Sequence, residues 1–123
     1  MKSHNSKLKI QLKDRAYSYS IKIIEFIDTL PKDNSTNVIT NQLLRSATSI
    51  GANVIEAQAS SSKKDFTNFF SHSLKSANES LYWLGLLRDA KKINGDRLNH
   101  LLKETEELAR ILGASLLTLR GKR

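Results

Sequence analysis

Metal-dependent chemistry on a helical scaffold needs carboxylates and histidines that share one helix face. Di-iron bundles use Glu-x-x-His, which places both ligands on adjacent turns. No glutamate in this chain is followed by a histidine three positions later, and the histidines are His4, His72 and His100. His72 is the one candidate ligand, and a lone helical histidine is more typical of a surface or packed residue. With no cysteine either, we predict neither a metal site nor a cofactor.

Hydrolytic chemistry also finds little support in the sequence. A carboxylate pair would need Glu56 and Glu79 to face each other across a cleft. A closely packed helical protein offers little room for such a cleft. The sequence contains neither a glycine-rich phosphate loop nor a nucleophile-elbow serine motif. We therefore expect a protein that is not an enzyme.

Two polar stripes at helical spacing have a better explanation in packing. The first, at i, i+4, i+8 and i+11, consists of Arg45, Ser49, Asn53 and Glu56. The second, at i, i+4, i+7 and i+11, consists of His72, Ser76, Glu79 and Trp83. If the stripes face each other, Arg45 can pair with Glu79, or Asn53 with Ser76. Such pairs fix register and partner choice more than they add stability. We predict a structural pairing role for Arg45, Asn53, Glu56, Ser76 and Glu79.

The elements that carry these stripes are helices. With one proline, five glycines and no alternating β-branched run, the chain is predicted to be all-α. Pro31 should end the first helix, Thr36 or Asn37 should cap the second, and Ser62 should cap the third. Asn94-Gly95 tolerates the positive φ that ends a helix. The predicted helices cover about residues 9–30, 36–59, 62–92 and 96–119.

Long helices joined by short loops favour an up-down-up-down antiparallel four-helix bundle within one domain, residues 1–123. Each helix has an apolar seam, as in the 4-3-4-3-4 spacing from Leu12 to Leu30. A second apolar set lies off the seams: Ile24, Ile27, Leu44, Ile55, Trp83, Leu87 and Ile111. Exposed on a small monomer, this set would form large apolar patches, so we predict a homo-oligomer. The alternative is a wider core-facing arc on each helix.

The 20 lysines and arginines against 12 acids give a net charge of +8, which indicates either a polyanionic partner or simple solubility. In the predicted topology the start of helix 1, the helix 2–3 loop and the end of helix 4 share one end, the basic end. It collects ten cations against two carboxylates, whereas the opposite end sums to +1 and the middle to −1. We predict largely sequence-independent nucleic-acid binding there, through Lys7, Lys9, Lys13, Arg15, Lys63, Lys64, Arg120, Lys122 and Arg123. The alternative is that these terminal cations are only solvated.

No window approaches the roughly 18 apolar residues of a membrane span. The segment "MKSHNSKLKIQLKD" lacks the continuous apolar run of a signal peptide. We expect a soluble, cytoplasmic protein without a membrane partner.

The segment "LLRSATSIGANVIEAQASSSKKDFTNFFSHSLKSANESLYWLGLL" resembles the four-helix-bundle proteins encoded in intervening sequences of bacterial 23S ribosomal RNA genes. The family pattern has an arginine, then Ser-Ile, Asn-hydrophobic-x-Glu, Ser-Lys-Lys-acidic-Phe and Ser/Ala-x-x-Glu. Here these are Arg45, Ser49-Ile50, Asn53 to Glu56, Ser62 to Phe66 and Ser76 to Glu79, with Tyr82 to Leu87 fitting a common branch. Gly51 and Ala57 depart from the proline and glycine that are frequent there.

The resemblance implies a homopentameric ring. It also implies kinship with the accessory variability proteins of diversity-generating retroelements, which bind nucleic acid and partner a reverse transcriptase. The leading hypothesis is thus a non-enzymatic, oligomeric RNA- or DNA-binding protein. The alternative is an interaction scaffold, or accessory subunit, for a partner such as a reverse transcriptase.

Overall fold

Four α-helices follow one another along the chain in the computed structural model, which describes residues 2–121 and the side chains of residues 11–121. They are α1 (Lys2–Asp28), α2 (Asn34–Ala59), α3 (Lys63–Asp89) and α4 (Asp96–Leu119). Each helix packs on its neighbours in sequence, and α1 also meets α4, so the chain runs up-down-up-down around one core. The α2–α3 pair is the most extensive contact and the α1–α4 pair the sparsest. The prediction of an all-α fold with four helices is confirmed.

The start of α2 differs from the prediction of Thr36 or Asn37 as its cap. Asp33 is the N-cap, and its Oδ1 accepts a hydrogen bond from the Thr36 backbone N–H at 3.0 Å. Thr36 itself is buried in the first turn. The Thr36 backbone N–H first, and then Lys91, stabilise the charged carboxylate and lower the pKa of Asp33 to about 2. Lys91 Nζ lies 3.1 Å from Asp33, so the pair also ties the start of α2 to the segment after α3.

Two helices end earlier than predicted. α1 ends at Asp28, and Thr29 and Leu30 form a turn whose N–H groups bind carbonyls three residues back. α3 ends at Asp89, and Lys92 adopts a left-handed φ of 58°. That conformation turns the chain so that the Ile93 N–H reaches the Leu87 carbonyl at 3.0 Å. The predicted positive φ occurs at Gly95 as well, directly before α4.

The apolar seams of α1, α2 and α4 are buried almost throughout. On α3 the sequence predicts a stripe of Phe66, Phe70, Leu74, Ala77, Leu81 and Leu84, of which Phe70, Ala77 and Leu84 are buried. Leu74 and Leu81 are half-buried, whereas Ser73, Ser80 and Leu87 are fully buried. Small side chains on α3 allow α2 to pack closely, and Ser73 donates a hydrogen bond to the Ile50 carbonyl of α2 at 2.8 Å. A stripe assigned from large apolar residues alone misses this arrangement.

Four polar side chains, one from each helix, meet in the centre of the core. This buried polar junction consists of Tyr19 (α1), Ser46 (α2), Ser80 (α3) and Thr105 (α4). The Tyr19 hydroxyl lies 2.7 Å from the Thr105 Oγ1, and the Ser46 and Ser80 hydroxyls lie 2.9 Å apart. Thr105 donates to the Leu101 carbonyl, so Tyr19 is the donor in their bond. Burial raises the pKa of Tyr19 to about 12, against smaller opposing effects of Thr105 and Ser80.

Helices α1 and α2 come close together at a glycine of α2. A Cβ on Gly51 would lie 3.3 Å from the Ala16 Cβ, which is tighter than ordinary van der Waals contact. Gly51 therefore lets the two helices come together.

The apolar residues predicted to lie off the seams divide into two groups. Leu87 is fully buried, and Ile27 and Trp83 pack partly against the core. Four others are exposed: Ile24, Leu44, Ile55 and Ile111. Exposed apolar residues also include Tyr17 and Ile21, which share a face of α1 with Ile24. The first group widens the core-facing arcs of its helices. The second group forms exposed apolar surface.

Candidate nucleic-acid interface

The predicted basic end brings together residues far apart in sequence. One cavity of about 840 Å³ is bounded there by Gln11, Leu12 and Arg15 of α1, the α2–α3 loop, the start of α3 and the end of α4. Lys63 and Leu119, the neighbour of Arg120, both line it. The helix 2–3 loop and the end of helix 4 therefore converge, as the topology required.

Capping at the α2–α3 loop sets where α3 begins and so where its first two lysines lie. Ser60 ends α2 by bonding back to the Ala57 carbonyl, and Ser62 caps α3 by accepting from the Asp65 N–H at 3.1 Å. Lys63 and Lys64 therefore occupy the first turn of α3 and are exposed. Cations there face the positive end of the helix dipole, an unfavourable arrangement that a bound anion would relieve.

Arg15 differs from the other predicted contact residues because carboxylates already neutralise it. Its guanidinium donates to Glu104 at 2.7 and 2.9 Å, and it also donates to Glu107. These bonds raise the pKa of Arg15 above its already high value and lower the pKa of Glu104. The site joins α1 to α4, the sparsest helix contact in the protein. The sequence could not show this pairing, because the partners are 89 and 92 residues away.

The remaining predicted cations fall into two sets. Lys13, Lys63, Lys64 and Arg120 are exposed at the basic end, near Asp14 and Asp65. The side chains of Lys7 and Lys9, together with Lys122 and Arg123, lie outside the described residues. Four exposed cations against two carboxylates therefore leave a positive surface in the part of the chain that is described.

The polar stripes meet along the α2–α3 contact, with partners partly different from those predicted. Arg45 Nη2 lies 3.9 Å from Glu79, but the Arg45 side chain is 75% exposed, so the pair adds little stability. The Asn53 amide donates within α2 to the Ser49 carbonyl and hydroxyl. Ser76 of α3 instead donates to the Ser49 hydroxyl at 3.1 Å.

The two glutamates of these stripes, Glu79 and Glu56, differ in their contacts. Glu79 accepts a hydrogen bond from the Trp83 indole N–H at 2.9 Å within α3. Glu56 is exposed, and no hydrogen bond or ion pair to it occurs among the described side chains. The pairing role of Glu56 stays a prediction.

The cavity at the basic end, the end cavity, has a mixed lining that sequence reasoning did not identify. Its apolar side includes Leu12, Ile111 and the stacked rings of Phe66 and Phe70, whose centroids are 4.6 Å apart. Its polar side includes hydroxyls from the loop and from α4: Ser60, Ser61, Ser62, Ser115 and Thr118. Ser115 and Thr118 lie beside the α4 seam in the sequence, but only the fold shows that they line the same cavity as the loop serines.

The described residues offer neither a group of metal ligands nor a membrane-spanning helix. Among them, no three histidine, aspartate or glutamate side chains are grouped so that they could hold a metal ion. Within the same part of the chain, no helix has the length and apolar character needed to cross a membrane.

Comparison with known proteins places these features in a family. The family of 23S rRNA-intervening sequence proteins matches residues 8–114. A solved structure, that of a protein of unknown function from the S23 ribosomal protein family of Bacteroides thetaiotaomicron, is 31% identical with a TM-score of 0.80. The alignment covers 88% of this chain and 96% of that one. No curated protein matches. The motifs from Arg45 to Glu79, the four helices and this match show that the chain belongs to the 23S rRNA-intervening sequence protein family.

Proposed function

We propose that the protein binds RNA or DNA through phosphate contacts at its basic end, without catalysing a reaction. The observation that carries this proposal is the position of Lys63 and Lys64. Both are exposed in the first turn of α3, beside the end of α4. Backbone binding of this kind is sensitive to salt and largely independent of sequence.

Two unfavourable charge arrangements at the basic end support this function. Cations at a helix N-terminus oppose the helix dipole, and clustered cations repel each other. Neither arrangement is needed for the core, since both lysines are exposed. An anionic polymer would remove both penalties.

The test compares two double charge reversals. We expect Lys63→Glu with Lys64→Glu to weaken RNA binding at least tenfold and to reduce the salt slope of log K by about 2, since each lost phosphate contact contributes about 1. Filter binding across a salt series measures both quantities.

The matched control carries the same charge change at the opposite end, Lys32→Glu with Lys92→Glu. Both lysines are exposed there. This control should bind RNA nearly as well as the unaltered protein. Equal losses in the two variants would show that only total charge matters and would contradict binding at the basic end.

A second role, an accessory subunit that assembles with itself and with a partner protein, is favoured by exposed apolar residues. We define the α1–α2 apolar surface as Tyr17, Ile21, Ile24, Leu44 and Ile55. Leu44 and Ile55 share a helix face with Gly51, the residue that touches α1. A surface of this kind usually marks an interface. We propose that it joins copies of the chain, as a pentamer if the ring implied by the family holds.

Polar substitution of this surface tests assembly. We expect Ile21→Gln with Ile24→Gln to shift the protein towards monomers, because the apolar area that drives association is lost. Native mass spectrometry and sedimentation measure the change. Val38→Gln is the control, because Val38 is also exposed but lies on another face of α2. A monomeric unaltered protein would disprove the assembly.

Co-purification of a reverse transcriptase with the intact oligomer would favour the accessory role over nucleic-acid binding alone. Recovery of nucleic acid without a protein partner would favour the first role.

A further inference from the structure

The end cavity differs in chemistry from the charged surface around it. Its lining consists mainly of neutral hydroxyls and apolar side chains, and Lys63 and Arg15 are the cations among the described lining residues. Arg15 is already paired with Glu104 and Glu107. The interior therefore suits a neutral group better than a phosphate, whereas the exposed lysines beside it suit phosphates.

From this contrast we propose that the end cavity holds one unpaired base of a single-stranded nucleic acid, with the flanking phosphates on the lysines at its edge. This rests on the proposed nucleic-acid function and narrows it to single strands. A base within a duplex is stacked and paired, so it cannot enter a cavity without leaving the helix.

The cavity has ample room for such a guest, and its lining suits one. Its volume of about 840 Å³ lies within the usual range for small-molecule sites, roughly 300–1,000 Å³. A nucleobase has apolar faces and a polar edge. Leu12, Phe70 and Ile111 supply apolar surface for the faces. The hydroxyls of Ser61 and Ser115 can both donate and accept, and so can serve the edge.

A fatty acyl chain is the other guest that an apolar wall beside cations could suggest. Ser60, Ser62 and Thr118 already have hydrogen-bond partners within the chain. The hydroxyls of Ser61 and Ser115 argue against an acyl chain, because it would offer them no hydrogen bond. For a base, the same hydroxyls are an advantage.

The test fills the cavity without changing charge. We expect Ser115→Trp to weaken binding of a short fluorescein-labelled oligouridylate about tenfold, as for the loss of one stacked base. Binding of an RNA duplex of equal length, and the salt slope for both RNAs, should not change. Fluorescence anisotropy measures all four quantities. Ser18→Trp is the matched control, because Ser18 is exposed on α1 and does not line the cavity.

A second filling variant guards against a folding defect. Ser61→Trp alters an exposed loop residue rather than a helix, and it should give the same selective loss if circular dichroism shows Ser115→Trp to be unfolded. Unchanged single-strand affinity in a folded filling variant would overturn the proposal, and so would equal losses for single strands and duplexes. Release of a co-purified fatty acid by the filling variants, without a single-strand effect, would also overturn it. Failure of the unaltered protein to bind either RNA at low salt would instead disprove the proposed function itself.

Discussion

At the scale of residues, the buried polar junction constrains all four helices at one point. Tyr19, Ser46, Ser80 and Thr105 come from four different helices and are almost fully buried. A buried hydroxyl must keep its hydrogen bond, so each helix can shift along its axis only by breaking one. The junction therefore restrains helix register, in addition to the contacts that the polar stripes make between α2 and α3. Those stripes are more exposed and restrain the helices less.

Tyr19→Phe tests the contribution of this junction. Thr105 loses its donor, and we expect a loss of about 1 kcal/mol in unfolding free energy near neutral pH. Denaturant unfolding measures the loss. Tyr82→Phe is the control, since Tyr82 is exposed and should cost almost nothing.

The same pair of variants gives a test by pH. The pKa of Tyr19 is about 12 in the fold and 10 in the unfolded chain, so the unfolded state loses its proton first. This contribution is complete below pH 10 and is lost as pH rises towards 12, by roughly 2–3 kcal/mol. Tyr19→Phe should lack this decline and Tyr82→Phe should keep it. An identical decline in all three proteins would refute the assignment to Tyr19.

At the scale of elements, close helix packing depends on small residues at the contact points. Gly51 on α2 lies against Ala16 on α1, and buried serines of α3 lie against α2. Sequence patterns built from leucine, isoleucine and phenylalanine predicted the buried faces of α1, α2 and α4 well, but on α3 they missed the buried serines Ser73 and Ser80. The reason is that serine can satisfy its hydroxyl on a carbonyl of its own or a neighbouring helix and then be buried.

Two glycine substitutions separate helix propensity from packing. Gly113→Ala should raise stability by about 0.5–1 kcal/mol, since a Cβ there meets nothing within 4 Å. Gly51→Leu should instead lower stability by about 1–3 kcal/mol, because its side chain must push α1 away. Thermal and denaturant unfolding measure both. A stabilised Gly51→Leu protein would show that α1 and α2 are not closely packed at Ala16.

At the scale of the whole molecule, charge is divided between two tasks. Arg15 serves the fold, because Glu104 and Glu107 bind its guanidinium and thereby join the first helix to the last. Lys63 and Lys64 have no carboxylate within ion-pair distance among the described residues, and they remain available to a polyanion. A total of +8 does not reveal this division.

Arg15→Gln tests the division. We expect roughly 1 kcal/mol less stability, because the ion pair is partly screened by solvent, and RNA affinity within about twofold of the unaltered protein. The pKa of Glu104 is lowered from 4.5 in the fold, so the stability it provides is present above pH 4.5 and is lost as pH falls through the lowered value. Arg15→Gln should remove that dependence. A tenfold loss of RNA affinity would show that Arg15 contacts the phosphates directly.

The sequence by itself determined the four helices, most of the apolar core and the accumulation of cations near both chain ends and the middle loop. The helices and the core follow from the spacing of apolar residues and from residues that start or end a helix. The accumulation of cations follows from the order in which the helices are connected. All of these can be read from residues close together in the chain. The tertiary structure decided which charges are neutralised, which serines are buried and where a cavity opens. Arg15 and Glu104, Ser46 and Ser80, and Lys63 and Leu119 are far apart in the chain. Their encounters depend on the rotation and axial position of each helix, which packing of the entire core sets.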